Sequence, residues 1–258
     1  MKLDLADLRV IVTAGGAGIG RAVAETFAAA GAPVWTCDVD ADALASVTAL
    51  DGIDGMVADV GDTGSVDAFM AAALADLGGV DVLVNNAGIA GPGGPVETLD
   101  PDDVIRTLDV DVTSMFRTAR HALPVMKEQR SGSIVNISST AGTHGFPNRA
   151  AYAAAKWGVI GFTKTLAMEV GEYGIRVNAI CPGSINGPRM DHVIDLEVEA
   201  SGRPRDEVSD GMVAQVSMGT FIDPEEIAET IAFLVSPLGA KISGQTLAVD
   251  GNTETLRS

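Results

Sequence analysis

LRVIVTAGGAGIG, residues 8–20, is the stretch that decides the fold. Its first part is rich in β-branched residues and predicts a buried strand over residues 8–12. A glycine-rich turn follows, and then an alanine-rich helix over residues 21–30, closed by Gly31. Glycines allow a close approach to a pyrophosphate, and a helix N-terminus offers free N–H groups. The stretch therefore predicts a dinucleotide-binding unit, although a tight turn without a ligand would have the same pattern.

A second strand is predicted over residues 33–38 and ends in Asp38, eighteen residues past Gly20. An acidic residue near this distance binds the ribose hydroxyls of the cofactor. A carboxylate there repels a 2′-phosphate, and the neighbours Ala17 and Val39 carry no positive charge to bind one. Asp38 therefore favours NAD over NADP, with a cap on the following helix as its alternative role.

Tyr152 and Lys156 lie four residues apart in Tyr-Ala-Ala-Ala-Lys, which places both on one face of a helix. A free phenol titrates near pH ~10, and a neighbouring cation favours the phenolate. The pair is therefore a plausible proton-transfer device for a hydroxyl or carbonyl substrate. Ser139 follows an apolar strand over residues 134–137 and should emerge at its carboxyl end. Taken alone, Tyr-x-x-x-Lys is more often a solvated helix face.

Helix and strand patterns alternate along the chain, which predicts parallel βαβ units with right-handed crossovers. We expect an α/β fold, a doubly wound Rossmann-type parallel sheet flanked by helices, in a single domain over residues 1–258. The further helices are predicted over residues 41–49, 65–77, 102–126, 150–171 and 224–235, and the further strands over residues 55–58, 80–84, 175–180 and 246–249. Residues 185–220 are charged and without strand signal, so we interpret them as a substrate lid, with a simple surface loop as the alternative.

Together these motifs resemble the short-chain dehydrogenase/reductase family over nearly the whole chain. Residues 13–20 are similar to its T-G-x-x-x-G-x-G motif, with Ala14 in place of the first glycine. The remaining matches are Asp59-Val60, Asn85-Asn86-Ala87-Gly88, the Ser139–Tyr152–Lys156 set and Pro182-Gly183-Ser184-Ile185. The resemblance implies that NAD is bound by Gly15, Ala17, Gly18, Ile19, Asp38, Asp59, Val60, Asn86, Ala87, Gly88, Tyr152, Lys156, Pro182, Gly183 and Ile185. It also implies that Ser139, Tyr152 and Lys156 are catalytic.

Two positions depart from the family pattern. Asp111 stands where the family usually has a catalytic asparagine that holds a water in a proton relay behind the lysine. An ionised carboxylate accepts hydrogen bonds but donates none, and it should draw the Lys156 ammonium toward itself. We therefore place Asp111 in the catalytic set and expect a modified relay or reduced activity. Gly187 replaces a threonine that contacts the carboxamide, a contact that is lost or supplied by Asn186.

Arg149, with Asn148 beside it, lies three residues before Tyr152 at the start of the same helix. Arginine binds carboxylates through a bidentate fork, and some family members that act on hydroxy acids carry an arginine here. This predicts a hydroxy acid or sugar acid substrate, with a structural or interface arginine as the alternative. His144 is a further candidate pocket residue, or a solvated loop histidine.

Composition restricts the class of partner. The net charge is −18, from 35 acidic and 17 basic residues, which argues against binding to nucleic acid or anionic membranes. No apolar run is long enough to span a bilayer, and the N-terminus has no signal-peptide pattern. The two cysteines, Cys37 and Cys181, are expected as buried thiols in a reducing cytoplasm, and no residue spacing suggests a metal site. An acidic, lysine-poor surface also fits a high-salt cytoplasm, with an acidic mesophile surface as the alternative.

The sequence thus predicts an NAD-dependent oxidoreductase that interconverts a secondary alcohol and a ketone. The expected substrate is small and polar: a sugar, polyol, hydroxy acid or sugar acid, as in carbohydrate metabolism. A 3-oxoacyl thioester reductase is one alternative, and a catalytically weak NAD-binding sensor or assembly protein is another. The resemblance further implies a homodimer or homotetramer built on the helices at residues 102–126 and 150–171, with residues 251–258 reaching a neighbouring subunit.

Overall fold

The computed structural model describes residues 3–256, without the side chains of residues 189, 196 and 200. Seven parallel strands form one sheet in the order β3-β2-β1-β4-β5-β6-β7. Their bounds are β1 Val10–Thr13, β2 Val34–Asp38, β3 Ile53–Val57, β4 Val82–Asn85, β5 Gly132–Ile137, β6 Ile175–Pro182 and β7 Thr246–Val249. The predicted doubly wound Rossmann-type fold is confirmed.

Nine α-helices occur in the described part of the chain and flank this sheet. They are α1 Gly18–Ala29, α2 Ala41–Thr48, α3 Thr63–Leu77, α4 Pro101–Leu108, α5 Ser114–Gln129, α6 Ala150–Val170, α7 Pro188–Ser201, α8 Arg205–Val213 and α9 Pro224–Val235. Asp223 is the N-cap residue of α9 and forms a capping box with Glu226. The Asp223 side chain accepts from the backbone N–H of Glu226, and the Glu226 side chain accepts from the backbone N–H of Asp223.

The two faces of the sheet carry two separate apolar cores. In β1, Val10 and Val12 pack on the side of α1 and α9, whereas Ile11 packs on the opposite side. The opposite core contains α3, α5 and α6, with Phe69 and Met126 fully buried. Because both faces are covered, the strands are apolar runs rather than alternating ones.

One predicted helix needs correction, and one segment contains helices that the sequence did not predict. The helix predicted over residues 102–126 is interrupted by a π-helical turn, Asp109–Thr113, between α4 and α5. The segment 185–220, interpreted as a lid or loop, contains the helices α7 and α8. Pro188 at the start of α7 and Gly202 after its end provide the usual helix boundaries.

The strand order reverses between β1 and β4, and ligands of such sheets bind at this switch point, outside the carboxyl ends of the strands. The loops that follow β1 and β4 both lie there. No helix within residues 3–256 has both the length and the apolar character needed to cross a membrane. The end of the predicted subunit contact, residues 257–258, lies outside the described residues.

Candidate active site

The loops that follow β1 and β4 are joined by hydrogen bonds. Thr13 Oγ1 accepts from the backbone N–H groups of Asn86 and Ala87, each at 3.0 Å. The Asn86 side-chain amide donates to the carbonyl oxygens of Thr13 and Ala14, also at 3.0 Å. A Cβ on Gly20 would collide with the Ala14 carbonyl, so α1 needs glycine where it crosses this junction. Asn86 and Ala87, both predicted cofactor residues, thus hold the glycine-rich turn in place.

The N-terminus of α1 is open. The helix begins at Gly18, and Ala17 at the N-cap position supplies no side-chain cap. Ala17 and Gly18 are exposed, Ile19 is half-buried, and a Cβ on Gly18 would meet nothing within 4 Å. Gly15, by contrast, lies so close to Thr36 that a Cβ there would overlap the threonine hydroxyl. An uncapped helix end beside a flat glycine turn fits the pyrophosphate of a dinucleotide.

Asp38 lies directly beside this turn. Its Oδ2 accepts from the Gly16 N–H at 2.9 Å, and its Oδ1 accepts from the Asp40 N–H at 3.1 Å. The alternative role as a helix cap is not supported, because the N-cap residue of α2 is Asp40, whose side chain accepts from two N–H groups. Asp38 thus lies beside the turn between β1 and α1, with its carboxylate held by two backbone N–H groups.

Asp59 and Val60 follow β3 at the same end of the sheet. Asp59 Oδ1 accepts from the Gly61 N–H at 2.8 Å, and its Oδ2 accepts from Arg106 at 2.8 Å. Burial alone would raise the pKa of Asp59, but the hydrogen bonds from Gly61 and Arg106 outweigh it and lower that pKa from its usual value. Sequence reasoning missed Arg106 because it reaches Asp59 from α4, with no local pattern to reveal the contact.

The three residues predicted to be catalytic share one end of the sheet. Ser139 follows β5, and Tyr152 and Lys156 lie on α6, which packs on the turn Thr140–Gly142. Ser138 Oγ donates to the Lys156 carbonyl at 2.8 Å and ties this part of α6 to the end of β5. Lys156 Nζ lies 5.5 Å from the centre of the Tyr152 ring. The ammonium is therefore close enough to act on the phenol electrostatically.

Asp111 is fully buried in the π-helical turn, and its carboxylate faces Lys156. The Lys156 Nζ to Asp111 Oδ2 distance is 3.1 Å, and Asp111 Oδ1 accepts from the Ile89 N–H at 2.7 Å. Gly88 provides the space, because a Cβ there would lie 3.0 Å from Nζ and 3.4 Å from both carboxylate oxygens. The predicted attraction between Asp111 and Lys156 is present in the structure.

Pro182 and Gly183 form the end of β6 and the start of the segment expected near the nicotinamide. Gly183 donates its N–H to the Val249 carbonyl at 3.0 Å. A Cβ on Gly183 would lie 2.9 Å from the Asp250 Cα, so glycine is required for this close passage beside β7. The segment is thereby fixed against the last strand.

Ile185 and Asn186 continue this segment. Ile185 forms an isolated bridge with Ile222. The Asn186 side-chain amide donates to Asp223 at 2.6 Å, so it already has a partner at the position where we considered it as a substitute for the missing threonine. Gly187 has a φ of 133°, and a Cβ there would meet nothing within 4 Å, which leaves open space beside the start of α7.

Arg149 is the N-cap residue of α6 and is half-buried. A Cβ on Gly93 would lie 3.5 Å from its guanidinium carbon, so the guanidinium faces the loop after β4. Among the arginines whose side chains the structure describes, Arg149 alone has no side-chain hydrogen bond or ion pair. Asn148 has a left-handed backbone, φ 58°, and its carbonyl accepts from the Gly94 N–H at 2.9 Å.

His144 is tied to its own loop. Its Nδ1 lies 3.0 Å from the Thr143 hydroxyl and 3.3 Å from the Thr140 carbonyl. The ring is half-buried and is held by these two neighbours from the turn after Ser139. This arrangement gives the histidine a local structural role and provides no separate support for a substrate contact.

Within the described residues, no group of three or more His, Cys, Asp or Glu side chains is placed to hold a metal ion. Cys37 and Cys181 are both buried free thiols, as predicted. Burial raises the pKa of Cys37 to about 12, so this thiol is not a nucleophile at neutral pH.

Comparison with known proteins finds relatives over nearly the whole chain. A family model described as enoyl-(acyl carrier protein) reductase matches residues 13–252. The chain is 40% identical over 258 residues to trans-4-hydroxycyclohexanecarboxylate dehydrogenase of Sinomonas cyclohexanicum, covering 96% of this chain and 93% of that protein. It is 38% identical over 243 residues to the 3-oxoacyl-[acyl-carrier-protein] reductase FabG of Vibrio cholerae, covering 93% and 95%. A variant of actinorhodin polyketide ketoreductase, solved with NADPH, superposes with a TM-score of 0.89 at 34% identity, covering 95% of this chain and 96% of that one.

Proposed function

The chain belongs to the short-chain dehydrogenase/reductase family, and from this we propose that it oxidises a secondary alcohol of a small polar molecule, with NAD as the hydride acceptor. The family is one of oxidoreductases that bind a nicotinamide cofactor. The single observation that carries the reaction is the placement of Ser139, Tyr152 and Lys156 at one end of the sheet, with Lys156 Nζ 5.5 Å from the Tyr152 ring.

The mechanism assigns one task to each side chain. NAD, held by the glycine-rich turn and Asp38, would accept the hydride that leaves the substrate carbon. Tyr152, as the phenolate, takes the proton from the substrate hydroxyl. Ser139 donates a hydrogen bond to the substrate oxygen and stabilises the charge that develops on it. Lys156 stabilises the phenolate through its positive charge, and in the reverse direction Tyr152 returns the proton to the carbonyl oxygen.

The cofactor preference follows from Asp38. Its carboxylate lies beside Gly16 at the turn, where the 2′-hydroxyl of an adenosine ribose would be read and a 2′-phosphate repelled. Arg21, the basic residue of α1, is paired with Glu25 at 2.7 Å and bonded to Ser46, so a phosphate would have to compete with both partners. These contacts support NAD over NADP in this chain.

The substrate proposal rests on Arg149. A half-buried guanidinium without an internal carboxylate partner, one helical turn before Tyr152, is suited to bind the carboxylate of a substrate. One relative acts, by its name, on a hydroxycyclohexane carboxylate, which combines a secondary alcohol with a carboxylate. We therefore place hydroxy acids, including sugar acids, ahead of neutral sugars and polyols.

The decisive experiment measures reduction of NAD⁺ and of NADP⁺ against hydroxy acids, sugar acids, sugars and polyols, using the wild-type enzyme, Tyr152→Phe and Arg149→Ala. Tyr152→Phe should lower turnover by about 10²–10⁴-fold, because the proton acceptor is lost, while NAD⁺ binding is retained. Arg149→Ala should raise KM for acids and leave KM for neutral alcohols unchanged. Arg149→Lys serves as a matched control that keeps the charge but loses the fork.

Other outcomes would redirect the proposal. Undiminished turnover in Tyr152→Phe would remove the tyrosine from its assigned role. Turnover on neutral alcohols that Arg149→Ala does not affect would move the substrate to sugars or polyols. A clear preference for NADP⁺ would refute the role given to Asp38.

A second candidate function is reduction of a 3-oxoacyl thioester, because FabG of Vibrio cholerae carries that activity in its name. Asp38 argues against this candidate, because its carboxylate favours NAD, whereas the related ketoreductase was solved with NADPH. A 3-oxoacyl thioester with NADPH and with NADH belongs in the same assay, and faster reduction with NADPH would favour this candidate. A catalytically weak NAD-binding sensor, suggested by Asp111, predicts NAD⁺ binding without turnover on any substrate.

Assembly and location complete the proposal. Ile105, Phe116, Trp157 and Met168 expose apolar side chains on α4, α5 and α6. An apolar surface on these helices suits a homodimer or homotetramer, and light scattering would detect either assembly.

The buried free thiols of Cys37 and Cys181 suit a reducing cytoplasm. We retain residues 185–220 as the proposed substrate lid, now with α7 and α8 within it.

A further inference from the structure

Asp111 brings a negative charge into the catalytic centre that no step of the mechanism above uses. We propose that Asp111 is a positioning residue whose buried carboxylate offsets the charge of Lys156 and so moves alcohol oxidation to higher pH. This inference rests on the proposed dehydrogenase function. It concerns the pH range in which the tyrosine can accept a proton.

Burial makes the interaction strong. The side chains of Lys156 and Asp111 are 4% and 0% exposed, and their charged atoms are 3.1 Å apart. Charges so close and so shielded from water interact far more strongly than a surface pair. From the position of Tyr152, the lysine and the aspartate together resemble a dipole more than a full positive charge. The phenolate is therefore stabilised less than it would be by Lys156 alone.

The carboxylate is held in place independently of the lysine. Asp111 Oδ1 accepts from the Ile89 N–H at 2.7 Å, and the π-helical turn directs the side chain inward. Its buried Oδ2 has no aligned hydrogen-bond donor, although Nζ is within ion-pair distance. Lys156 instead donates to the Ile137 carbonyl at 3.3 Å. The contact between Asp111 and Lys156 thus acts through charge, and it leaves other N–H groups of the ammonium available for further hydrogen bonds.

Few other charges act on Lys156. Tyr152 faces it from α6, and the Cys181 thiol on β6 interacts with it electrostatically. Burial raises the pKa of Cys181, and Asp250, directly after β7, raises it further through its negative charge. The loop after β4 brings the neutral backbone of Gly88 and Ile89. Within the described chain, Asp111 is the one carboxylate in ion-pair contact with Lys156.

The test compares pH–rate profiles of the wild-type enzyme and Asp111→Asn in both reaction directions. Removing the carboxylate should move the midpoint of alcohol oxidation down by about one pH unit. The alkaline limit of carbonyl reduction should move in the same direction, because one proton site governs both. Asp109→Asn is the matched control: it lies in the same turn but pairs with Arg117 at 2.7 Å, so its midpoints should stay with the wild type.

A second readout does not depend on turnover. The chain has two tyrosines, so in a Tyr173→Phe background the tyrosinate absorbance reports Tyr152 alone. Adding Asp111→Asn should make the tyrosinate band appear at lower pH. Should Asp111→Asn fail to fold, Asp111→Ser removes the same charge with a smaller side chain, and it must shift the titration in the same direction.

The outcomes separate the two proposals. Lower rates at every pH with unmoved midpoints would show that Asp111 is merely structural and would overturn the inference, while the dehydrogenase function would stand. An unmoved tyrosinate titration would overturn it equally. Absence of turnover on every alcohol would refute the proposed function, and the tyrosinate titration would still decide the role of Asp111.

Discussion

Ala14 has a left-handed backbone, φ 55°, in the middle of the glycine-rich turn. Its carbonyl oxygen accepts from the Asn86 amide at 3.0 Å and lies against Gly20, so the surroundings determine this conformation whatever the side chain. A Cβ in this region costs roughly 1–2 kcal/mol, which glycine avoids. Ala14 therefore carries strain at the position where the family motif has glycine.

We expect Ala14→Gly to raise the free energy of unfolding by up to about 1 kcal/mol, because strain is relieved while the unfolded chain gains some freedom. Urea denaturation measures this change. Ala45→Gly is the control: Ala45 is exposed in the interior of α2, where glycine should cost about 1 kcal/mol. Equal losses of stability in both variants would show that Ala14 is not strained.

At the scale of elements, the junction between β5 and α6 positions the catalytic residues. Gly142 lies between them, and a Cβ there would lie 2.7 Å from the Lys156 carbonyl oxygen and would overlap the Ser138 hydroxyl. The bond from Ser138 Oγ to this carbonyl, 2.8 Å, depends on that close approach. Gly142 is thus required by packing, although its φ needs no glycine.

Gly142→Ala should push α6 away from β5 and lower the free energy of unfolding by roughly 1–3 kcal/mol, as overpacking does elsewhere. Turnover should fall more than NAD⁺ binding, because Tyr152 and Lys156 move relative to Ser139. Gly145 lies in the same loop, and a Cβ there would meet nothing within 4 Å, so Gly145→Ala should change neither the free energy of unfolding nor turnover. Thermal melting and initial rates measure both variants, and wild-type turnover in Gly142→Ala would refute the packing argument.

The sequence predicted those elements whose causes are local. β7 was predicted at its observed bounds, and the start of α9 was marked by Asp223 and Pro224. The π-helical turn was not predicted, because the helical pattern of the sequence continues through residues 109–113. The contact of Asp111 with Lys156 that accompanies this turn is a tertiary contact, which the local sequence does not indicate. The motif residues were predicted from local patterns in the same way, whereas the contact of Arg106 with Asp59 is tertiary and leaves no local pattern.

At the scale of the whole molecule, negative charge dominates the surface. The chain has 23 aspartates and 12 glutamates against 17 basic residues. Several arginines are already paired, as in Arg9 with Asp81 at 2.7 Å and Arg117 with Asp109 at 2.7 Å, so the unpaired surplus is acidic. Mutual repulsion of such charges destabilises the compact state, and salt screens it over about 10 Å at 0.1 M.

We therefore expect the melting temperature to rise from dilute buffer to molar potassium chloride. Chloride is preferable to sulfate for this test, because sulfate also strengthens apolar burial by its exclusion from the protein surface. The rise should shrink as the pH approaches the isoelectric point of about 4.3, where the repulsion to be screened is smaller. Salt also weakens the exposed ion pairs, such as Arg203 with Glu197. A melting temperature that stays flat or falls with salt would therefore show that the attraction within ion pairs outweighs the repulsion among the surplus acidic residues. A rise that disappears near the isoelectric point would instead tie the stability of the fold to the ionic strength around it, as a high-salt cytoplasm requires.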